Sequence, residues 1–161
     1  MTSFKDNGVT APMNYVSNNC LIAYYSRKGE NYVKEDIVNL SRGNTEIAAK
    51  MIQTITGGDL FRIETATPYP KDYTETTRVA QKEKSSNARP GLVGKVSGMD
   101  TYDVIFPGYP NWWRTMPMAV FTFLESYDFS KKTILPFCTH EGSGMGHSEK
   151  DIAKTLPDAT V

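Results

Sequence analysis

Short apolar runs alternate along this chain with longer polar or amphipathic segments. Residues 20–25 form a continuous apolar run, which predicts a strand buried on both faces, as in a parallel sheet. Residues 60–64 alternate apolar and charged positions, a pattern typical of an edge strand. Residues 104–106 and 133–138 predict two further strands, and Pro136 indicates a bulge or an edge in the last one.

The segments between these runs include three longer predicted helices. Residues 45–55 fit a helix with one apolar stripe facing the core, followed by a stop at Gly57-Gly58. Residues 71–86 fit a solvated helix, and residues 117–127 fit a helix that is apolar nearly all round. The stripe of the first helix consists of Ile47, Ala48, Met51, Ile52 and Ile55.

Three other features complete the pattern. Ser148 is predicted to cap a short last helix that ends before Pro157. Residues 26–44 and 87–99 are polar and contain glycine, which predicts connections without regular structure.

Strand and helix therefore alternate through the chain, which predicts an α/β fold with a doubly wound parallel sheet and right-handed crossovers. We expect one domain over residues 20–161, preceded by a polar arm, residues 1–19. Residues 158–161 read as the start of a fifth strand. The open edge beside the fourth strand would then be covered by the arm, by a second copy in a homodimer, or by chain that continues further.

The composition of the chain narrows the range of possible functions. Lys plus Arg and Asp plus Glu are both 18 among 161 residues, so no net charge favours nucleic acid or an anionic membrane. The apolar runs are too short for a membrane-spanning helix, and the first residues do not form a secretory signal. Cys20 and Cys138 are expected to be free thiols in a reducing compartment. We expect a cytoplasmic protein.

The segments that follow strands one, three and four share one rim of a parallel sheet, where such sheets bind ligands. Ser26 and Arg27 follow the first strand, and Gly43-Asn44-Thr45 opens the next helix. Hydroxyl groups, a glycine and free N–H groups of a helix start can bind a phosphate. An ordinary capped helix start is the alternative interpretation.

The other two rim segments suit a flat ligand. Pro110, Asn111, Trp112 and Trp113 follow the third strand, and paired indoles can stack on a conjugated ring. Core indoles or a partner patch are the alternative. The segment after the fourth strand has glycines, which allow its backbone to lie close to a planar ligand. A flexible turn is the alternative interpretation. The segment contains Thr139, His140, Glu141, Gly142, Ser143 and Gly144.

The segments Leu-Ile-Ala-Tyr-Tyr-Ser-Arg, Gly-Asn-Thr-Glu, Tyr-Asp-Val-Ile-Phe-Pro-Gly-Tyr-Pro-Asn-Trp-Trp and Cys-Thr-His-Glu-Gly-Ser-Gly-Met-Gly together resemble the flavodoxin family, from about residue 20 to residue 161. The resemblance implies a three-layer sandwich with strand order 2-1-3-4-5 and a bound flavin mononucleotide (FMN). It implies that Ser26, Arg27 and residues 43–45 hold the phosphate. Residues 110–113 and 139–144 would flank the isoalloxazine ring.

The chain departs from the family pattern in two places. Residues 28–42 interrupt the phosphate loop, and Gly29-Glu30-Asn31 inside this insertion is a second candidate for it. Most of the final strand and the last helix of the family are missing.

Other chemistry is disfavoured. Too few residues follow Gly142–Gly146 for a dinucleotide fingerprint. Cys138 with His140 lacks the arginine of a thiol phosphatase loop, and His140 with His147 makes a poor metal site. We therefore predict no catalytic residue and no metal ligand.

Three functions remain open at this point. The one we favour is an electron carrier that serves a redox partner protein or a small-molecule acceptor, although the balanced charge is not typical of carriers. The second is an FMN-dependent NAD(P)H:quinone or nitro reductase, and the third is a domain that no longer binds its cofactor. Arg114, His140 and His147 are the cations expected near the ring, where at least one would raise its potential.

Overall fold

A computed structural model of the protein describes residues 19–161. The predicted N-terminal arm, apart from residue 19, lies outside the described residues. The strands and helices, in chain order, are β1 (Cys20–Tyr24), β2 (Gly29–Val33), β3 (Asp36–Leu40), α1 (Asn44–Thr56), β4 (Asp59–Arg62), β5 (Glu64–Thr65), α2 (Tyr73–Ser85), β6 (Leu92–Val93), β7 (Val104–Pro110), α3 (Met118–Glu125), β8 (Thr133–Ile134), β9 (Phe137–Thr139) and α4 (Ser148–Thr155).

The central sheet is parallel and follows the order β4-β1-β7-β8, with β9 beside the far end of β7. This order corresponds to predicted strands 2-1-3-4, so the predicted fold class is confirmed. A bridge between Thr133 and Thr160 begins the next position of the order. There the Ile134 N–H donates to the Thr160 carbonyl at 2.7 Å, and the Thr160 N–H donates to the Lys132 carbonyl at 3.0 Å.

The fourth predicted strand is divided, as Pro136 indicated. β8 pairs with the start of β7, whereas β9 pairs with its end. β9 also depends on Gly108 in β7, which lies against the ring of Phe137. A Cβ on residue 108 would lie 2.0 Å from the Phe137 Cζ atom, so only glycine fits this contact.

Two hydrophobic clusters lie on opposite faces of the sheet, which gives the predicted three layers. Because side chains of β1 alternate between faces, Ile22 and Tyr24 pack with Ala49 of α1. Leu21 and Ala23 point to the larger cluster, which includes α3 and α4. α3 is buried over most of its surface, as its apolar sequence predicted.

The predicted orientation of α1 is wrong for most of its apolar stripe. The Met51 and Ile55 side chains are 62% and 80% exposed, whereas Thr45 and Ala49 are buried. The helix turns its smallest side chains toward the sheet, which allows it to lie close to β1. Of the predicted stripe, Ile47, Met51 and Ile55 therefore face away from the core, whereas Ile52 packs against the cluster of Ile22, Tyr24 and Ala49.

The predicted cap of α4 is also wrong. His147 occupies the N-cap position and makes no side-chain capping bond. The buried Ser148 hydroxyl instead donates to the Met145 carbonyl at 2.7 Å and accepts from the Tyr109 hydroxyl at 2.9 Å. It joins α4 to β7 rather than ending the helix.

Segments 26–44 and 87–99, which were predicted to lack regular structure, contain strands. β2 and β3 form an antiparallel hairpin, whose two-residue turn consists of Lys34 and Glu35, with φ of 49° and 71°. β6 pairs with β5 in a second small ladder. None of the helices within residues 19–161 is both long and apolar enough to cross a membrane.

Candidate functional site

A cleft of about 560 Å³ opens where β1, β7 and β9 end. This size lies within the range of about 300–1,000 Å³ that is usual for small-molecule sites. All three predicted rim segments contribute to it, so the structure brings together residues that lie far apart in the chain. The predicted site residues that line it are Ser26, Arg27, Asn44, Thr45, Pro110, Asn111, Trp112, Thr139, His140, Glu141 and Ser143.

The start of α1 forms one end of the cleft. The Ser26 hydroxyl accepts the Glu46 N–H at 3.0 Å, which caps the helix. Gly43 does not line the cleft, but a Cβ there would lie 2.3 Å from that hydroxyl oxygen, so glycine lets β1 and α1 meet. Within residues 19–161, the N–H groups of Asn44 and Thr45 donate to no other residue. Two free donors at a helix start make an anion site.

Arg27 forms the wall beside this end. Its Nη2 atom donates to the carbonyls of Pro70 at 3.0 Å and Lys71 at 2.6 Å, which holds the loop before α2. Burial lowers the pKa of Arg27, but a guanidinium starts from so high a value that it stays charged at neutral pH. The group therefore adds a fixed positive charge to the cleft.

The β2–β3 hairpin forms an outer wall of the cleft through Asn31 and Tyr32. At its tip the Lys34 N–H donates to the Glu141 carboxylate at 3.2 Å. At its base the Glu30 carboxylate accepts the Tyr73 N–H at 2.8 Å. The rings of Tyr32 and Tyr73 stack with centroids 6.2 Å apart. The insertion that appeared to interrupt a phosphate loop is thus an outer wall.

Sequence reasoning missed some of the residues that line the cleft, namely Tyr32, Tyr73 and Cys138. Asn31, which also lines it, belongs to the second phosphate candidate, but its amide donates to the carbonyls of Arg27 and Gly29. The strand-favouring pairs Tyr32-Val33 and Ile37-Val38, on either side of the turn, were the sequence signal for the hairpin. Nothing in the sequence around Tyr73 indicated its position.

The two tryptophans have different positions. Trp112 lines the cleft and packs edge-on against Tyr25 and Tyr69, with ring centroids 5.4 Å and 5.2 Å away. Trp113 does not line this cleft. Its Nε1 donates to the Thr77 carbonyl of α2 at 2.9 Å, and its side chain is 43% exposed.

Glycines shape the third wall without lining it. Gly142 and Gly144 have φ of 88° and 65°, which lets the loop turn tightly after β9. The Gly142 N–H donates to His140 Nδ1 at 3.1 Å, and the Asn111 amide donates to the Gly144 carbonyl at 2.6 Å. The second bond joins the loop after β7 to the loop after β9.

The remaining polar groups of the site have limited chemistry. Burial raises the pKa of the Cys138 thiol to about 11, so it is a neutral wall at physiological pH. His140 lines the cleft, whereas Arg114 and His147 do not. The part of the chain that the structure describes contains no group of three or more His, Cys, Asp or Glu residues that could hold a metal ion.

A family model described as flavodoxin matches residues 36–161. The chain belongs to the flavodoxin family. Its sequence is 32% identical to a candidate flavoprotein of Bacteroides eggerthii DSM 20697 and 29% identical to one of Bacteroides uniformis ATCC 8492, each with a TM-score of 0.71. The matches cover 88% of this chain in both cases, and 82% and 85% of the two crystal structures. No curated protein matches the chain.

A third flavoprotein, from Lactobacillus acidophilus NCFM, was solved in complex with FMN. It shares the fold with a TM-score of 0.71 at 18% identity, over 90% of each chain. The cleft of the present flavodoxin-family protein has donors that suit such a ligand. The free N–H groups of Asn44 and Thr45 suit a phosphate, and Trp112 gives an aromatic surface at the other end. The residues present therefore fit FMN.

Proposed function

We propose that this protein binds FMN in the cleft and serves in electron transfer. The observation that carries the proposal is that one cleft joins an unoccupied pair of helix N–H groups to an indole and a glycine-bearing loop. These features match the charged and the flat end of FMN. The flavoprotein of the same fold that was solved with FMN supports the proposal.

In this proposal the phosphate lies at the start of α1, where Asn44 and Thr45 donate to it and Arg27 adds positive charge. The ring lies between the segment of residues 110–112 and the loop of residues 139–143. Trp113, Gly43, Gly142 and Gly144, which were predicted to contact the cofactor, would support this arrangement from outside the cleft.

Bound isoalloxazine supplies the redox chemistry, because it accepts and returns electrons. The residues around it would set how readily it does so. Trp112 and the protonated thiol of Cys138 exclude water and disfavour negative charge there. Positive charge on Arg27 has the opposite effect, since one charge about 4 Å away is worth ~4 kcal/mol at an effective dielectric near 20.

Comparison of FMN with riboflavin tests the binding site directly. Apoprotein is titrated with each flavin while flavin fluorescence and the visible spectrum are recorded. We expect FMN to bind at least a hundredfold more tightly than riboflavin, because only FMN carries a phosphate for the α1 start. Equal affinities would contradict the phosphate site, and failure of both flavins to bind would contradict the function.

Electron transfer requires a second measurement. Anaerobic holoprotein is reduced with one equivalent of dithionite and then mixed with cytochrome c, whose absorbance reports the electrons received. We expect stoichiometric transfer at a rate well above that of free reduced FMN at the same concentration. A rate no higher than that of free FMN would show that the protein stores the flavin without using it for transfer.

A further inference from the structure

A second cavity, of about 860 Å³, lies between the β2–β3 hairpin and the chain that follows β4, and we call it the hairpin cavity. Only Ser26 and Arg27 line both the hairpin cavity and the cleft, so it is a separate space that the proposed FMN site does not use. Its volume lies within the range of about 300–1,000 Å³ that is usual for small-molecule sites. The residues that line it are 25–30, 39–41, 62–65 and 68–71.

The lining of the hairpin cavity has an excess of positive charge. Arg62 lines it, but this guanidinium is paired with the carboxylates of Glu46 at 3.1 Å and Glu64 at 2.9 Å. The other charged residues of the lining form no ion pair within residues 19–161, and they are Arg27, Lys28, Lys71 and Glu30. The Glu30 carboxylate accepts the Tyr73 N–H at 2.8 Å. Three unpaired cations thus share the lining with one carboxylate, although the whole chain has no net charge. A concave surface of this kind concentrates anionic ligands.

Arg27 is the cation of this lining that is held in one orientation. Its Nη2 atom donates to the carbonyls of Pro70 at 3.0 Å and Lys71 at 2.6 Å, and both of these residues line the same cavity. Its Nε and Nη1 atoms donate to no residue within the described range 19–161. A guanidinium binds phosphate through a planar fork of N–H groups, and a fixed guanidinium loses little entropy when it does so. Arg27 is therefore prepared to bind a phosphate group.

The uncharged part of the lining suits a sugar and a ring. Its apolar surface comes from Leu40, Ile63, Pro68 and Tyr69. The Tyr69 hydroxyl donates to the Glu83 carboxylate at 2.6 Å, and its ring packs edge-on against Tyr25 with centroids 6.0 Å apart, so the ring is fixed. Neutral polar groups, which can bind sugar hydroxyls, come from Asn39, Ser41 and Thr65. The hairpin cavity therefore combines groups that suit a phosphate, a sugar and an aromatic base.

We propose that the hairpin cavity binds a nucleoside diphosphate. Its phosphate groups lie at Arg27, Lys28 and Lys71, because a diphosphate carries several negative charges and these three cations have no ion-pair partner. The sugar meets the neutral polar side chains, and the base packs against Tyr69. This site goes beyond the proposed FMN site, and either site can exist without the other.

Calorimetric titration with ADP as the probe tests the proposal on the protein that carries FMN. We expect one ADP site per chain, with an affinity that falls as the salt concentration rises, because the phosphates are bound by charge. Adenosine lacks the phosphates and pyrophosphate lacks the nucleoside, so we expect each to bind at least tenfold more weakly than ADP. The visible spectrum shows whether FMN stays bound, and we expect that ADP does not release it.

Two matched double variants test the role of the lysines. Lys28→Gln with Lys71→Gln should weaken ADP binding on the order of tenfold or more, because two charged donors are lost. The control is Lys95→Gln with Lys150→Gln, which removes the same charge from exposed positions that do not line the hairpin cavity. We expect the control to change the ADP affinity by less than about twofold, since salt screens distant charges.

A bulky side chain tests the location without a change of charge. Ser41→Trp places an indole in the lining, whereas Ser97→Trp places one at an exposed position outside the hairpin cavity. We expect the ADP affinity to fall at least tenfold in Ser41→Trp and to stay unchanged in Ser97→Trp. Circular dichroism checks that each variant folds, and the exposed lysine variants carry the test if Ser41→Trp does not fold.

Several outcomes would overturn this inference. Absence of ADP binding would do so, as would equal losses in a folded variant and its control. Adenosine or pyrophosphate that binds as tightly as ADP would show that the phosphates or the nucleoside make no contact, which contradicts a nucleoside diphosphate. ADP that displaces FMN would mean that ADP occupies the cleft instead. Protein that binds no FMN is titrated with ADP in the same way, so failure of the proposed function leaves this test intact.

Discussion

The hydroxyl oxygens of Thr45 and Thr139 lie 2.7 Å apart, and they join the first turn of α1 to the end of β9. Thr45 is buried, whereas Thr139 is half-buried and lines the cleft, so this hydrogen bond is partly shielded from water. It connects two walls of the cleft that lie 94 residues apart in the chain. The bond thereby holds the start of α1 against the end of β9.

We expect Thr45→Val to lower the free energy of unfolding by about 1 kcal/mol, because it leaves the Thr139 hydroxyl without its partner. The double variant Thr45→Val with Thr139→Val should recover most of this loss, since both partners become apolar groups of the same shape. Urea unfolding of both single variants and the double variant measures the coupling. Additive losses would contradict a direct bond.

Gly43→Ala should damage both stability and FMN binding. Its Cβ would lie 2.3 Å from the Ser26 Oγ atom and 2.4 Å from the Arg27 carbonyl oxygen, so α1 must shift. We expect a loss of about 1–3 kcal/mol, as for other overpacked sites, and FMN affinity at least tenfold lower. Gly91→Ala is the control, because its Cβ would meet the Ala66 Cβ at 3.8 Å. Equal effects of the two variants would exclude this explanation.

Removal of the carboxylate that holds the hairpin tip should change the rates of FMN exchange. Glu141→Ala loses the acceptor for the Lys34 N–H, whereas Glu141→Gln keeps an oxygen there. A net contribution of about 1 kcal/mol predicts about fivefold faster dissociation in Glu141→Ala and a smaller change in Glu141→Gln. Stopped-flow displacement of FMN by an excess of an FMN analogue with a different absorbance spectrum measures the dissociation rate. Unchanged dissociation would mean that the hairpin does not limit exit.

Cys138 should react slowly with thiol reagents in the folded protein. Burial raises the pKa of its thiol to about 11 from an ordinary value of 9.0. Iodoacetamide labelling, located by peptide mass analysis, should rise with a midpoint near pH 11 in the native apoprotein and near pH 9 in urea. Only the unfolded thiol ionises between these values, so the thiol's contribution to stability is present below pH 9 and is lost as the pH rises toward 11. A native midpoint near 9 would contradict the burial.

The exposed stripe on α1 gives a contrasting prediction. Met51→Lys and Ile55→Lys should each change the free energy of unfolding by less than about 0.5 kcal/mol, because both side chains are largely exposed. Ala49→Lys is the opposite case, since that position is fully buried. We expect it to prevent folding at ordinary temperature. A large loss from Met51→Lys in thermal unfolding would show that the stripe is covered in solution.

The central sheet could be predicted because its strands are short continuous apolar runs. Residues 20–25 read as a strand buried on both faces, and β1 is buried throughout between two paired neighbours. Pro136 likewise indicated the break between β8 and β9. Because parallel strands point in the same direction, the segments that follow them were predicted to lie on one rim of the sheet. The cleft residues on those segments followed from that geometry.

The predictions that were wrong concern packing between distant parts of the chain. The periodicity of α1 offered one apolar stripe, yet close approach to β1 favoured the smaller side chains of Thr45 and Ala49. Sequence alone could not tell which of two neighbouring helix faces would meet the sheet. Ser148 was predicted to cap α4, but its hydroxyl accepts a hydrogen bond from the Tyr109 hydroxyl in β7.

The hairpin and the second tryptophan were missed for a related reason. Every residue of β2 and β3 is at least partly exposed, so apolar periodicity gave little signal for them. The adjacency of Trp112 and Trp113 suggested a common role, but the positive φ of Trp113 turns its indole onto α2. A conformation of this kind is set by its partners on α2 and by the loop after β9.

The width of the cleft depends in part on Gly108, which has no Cβ atom. Phe137 occupies the space where any other residue at position 108 would place its Cβ, so β9 can lie directly beside β7. A larger residue there would push the aromatic ring outward, and the wall that ends in Thr139 would move with it. Mutational changes at this interior position should therefore alter ligand selectivity without touching a single atom of the ligand.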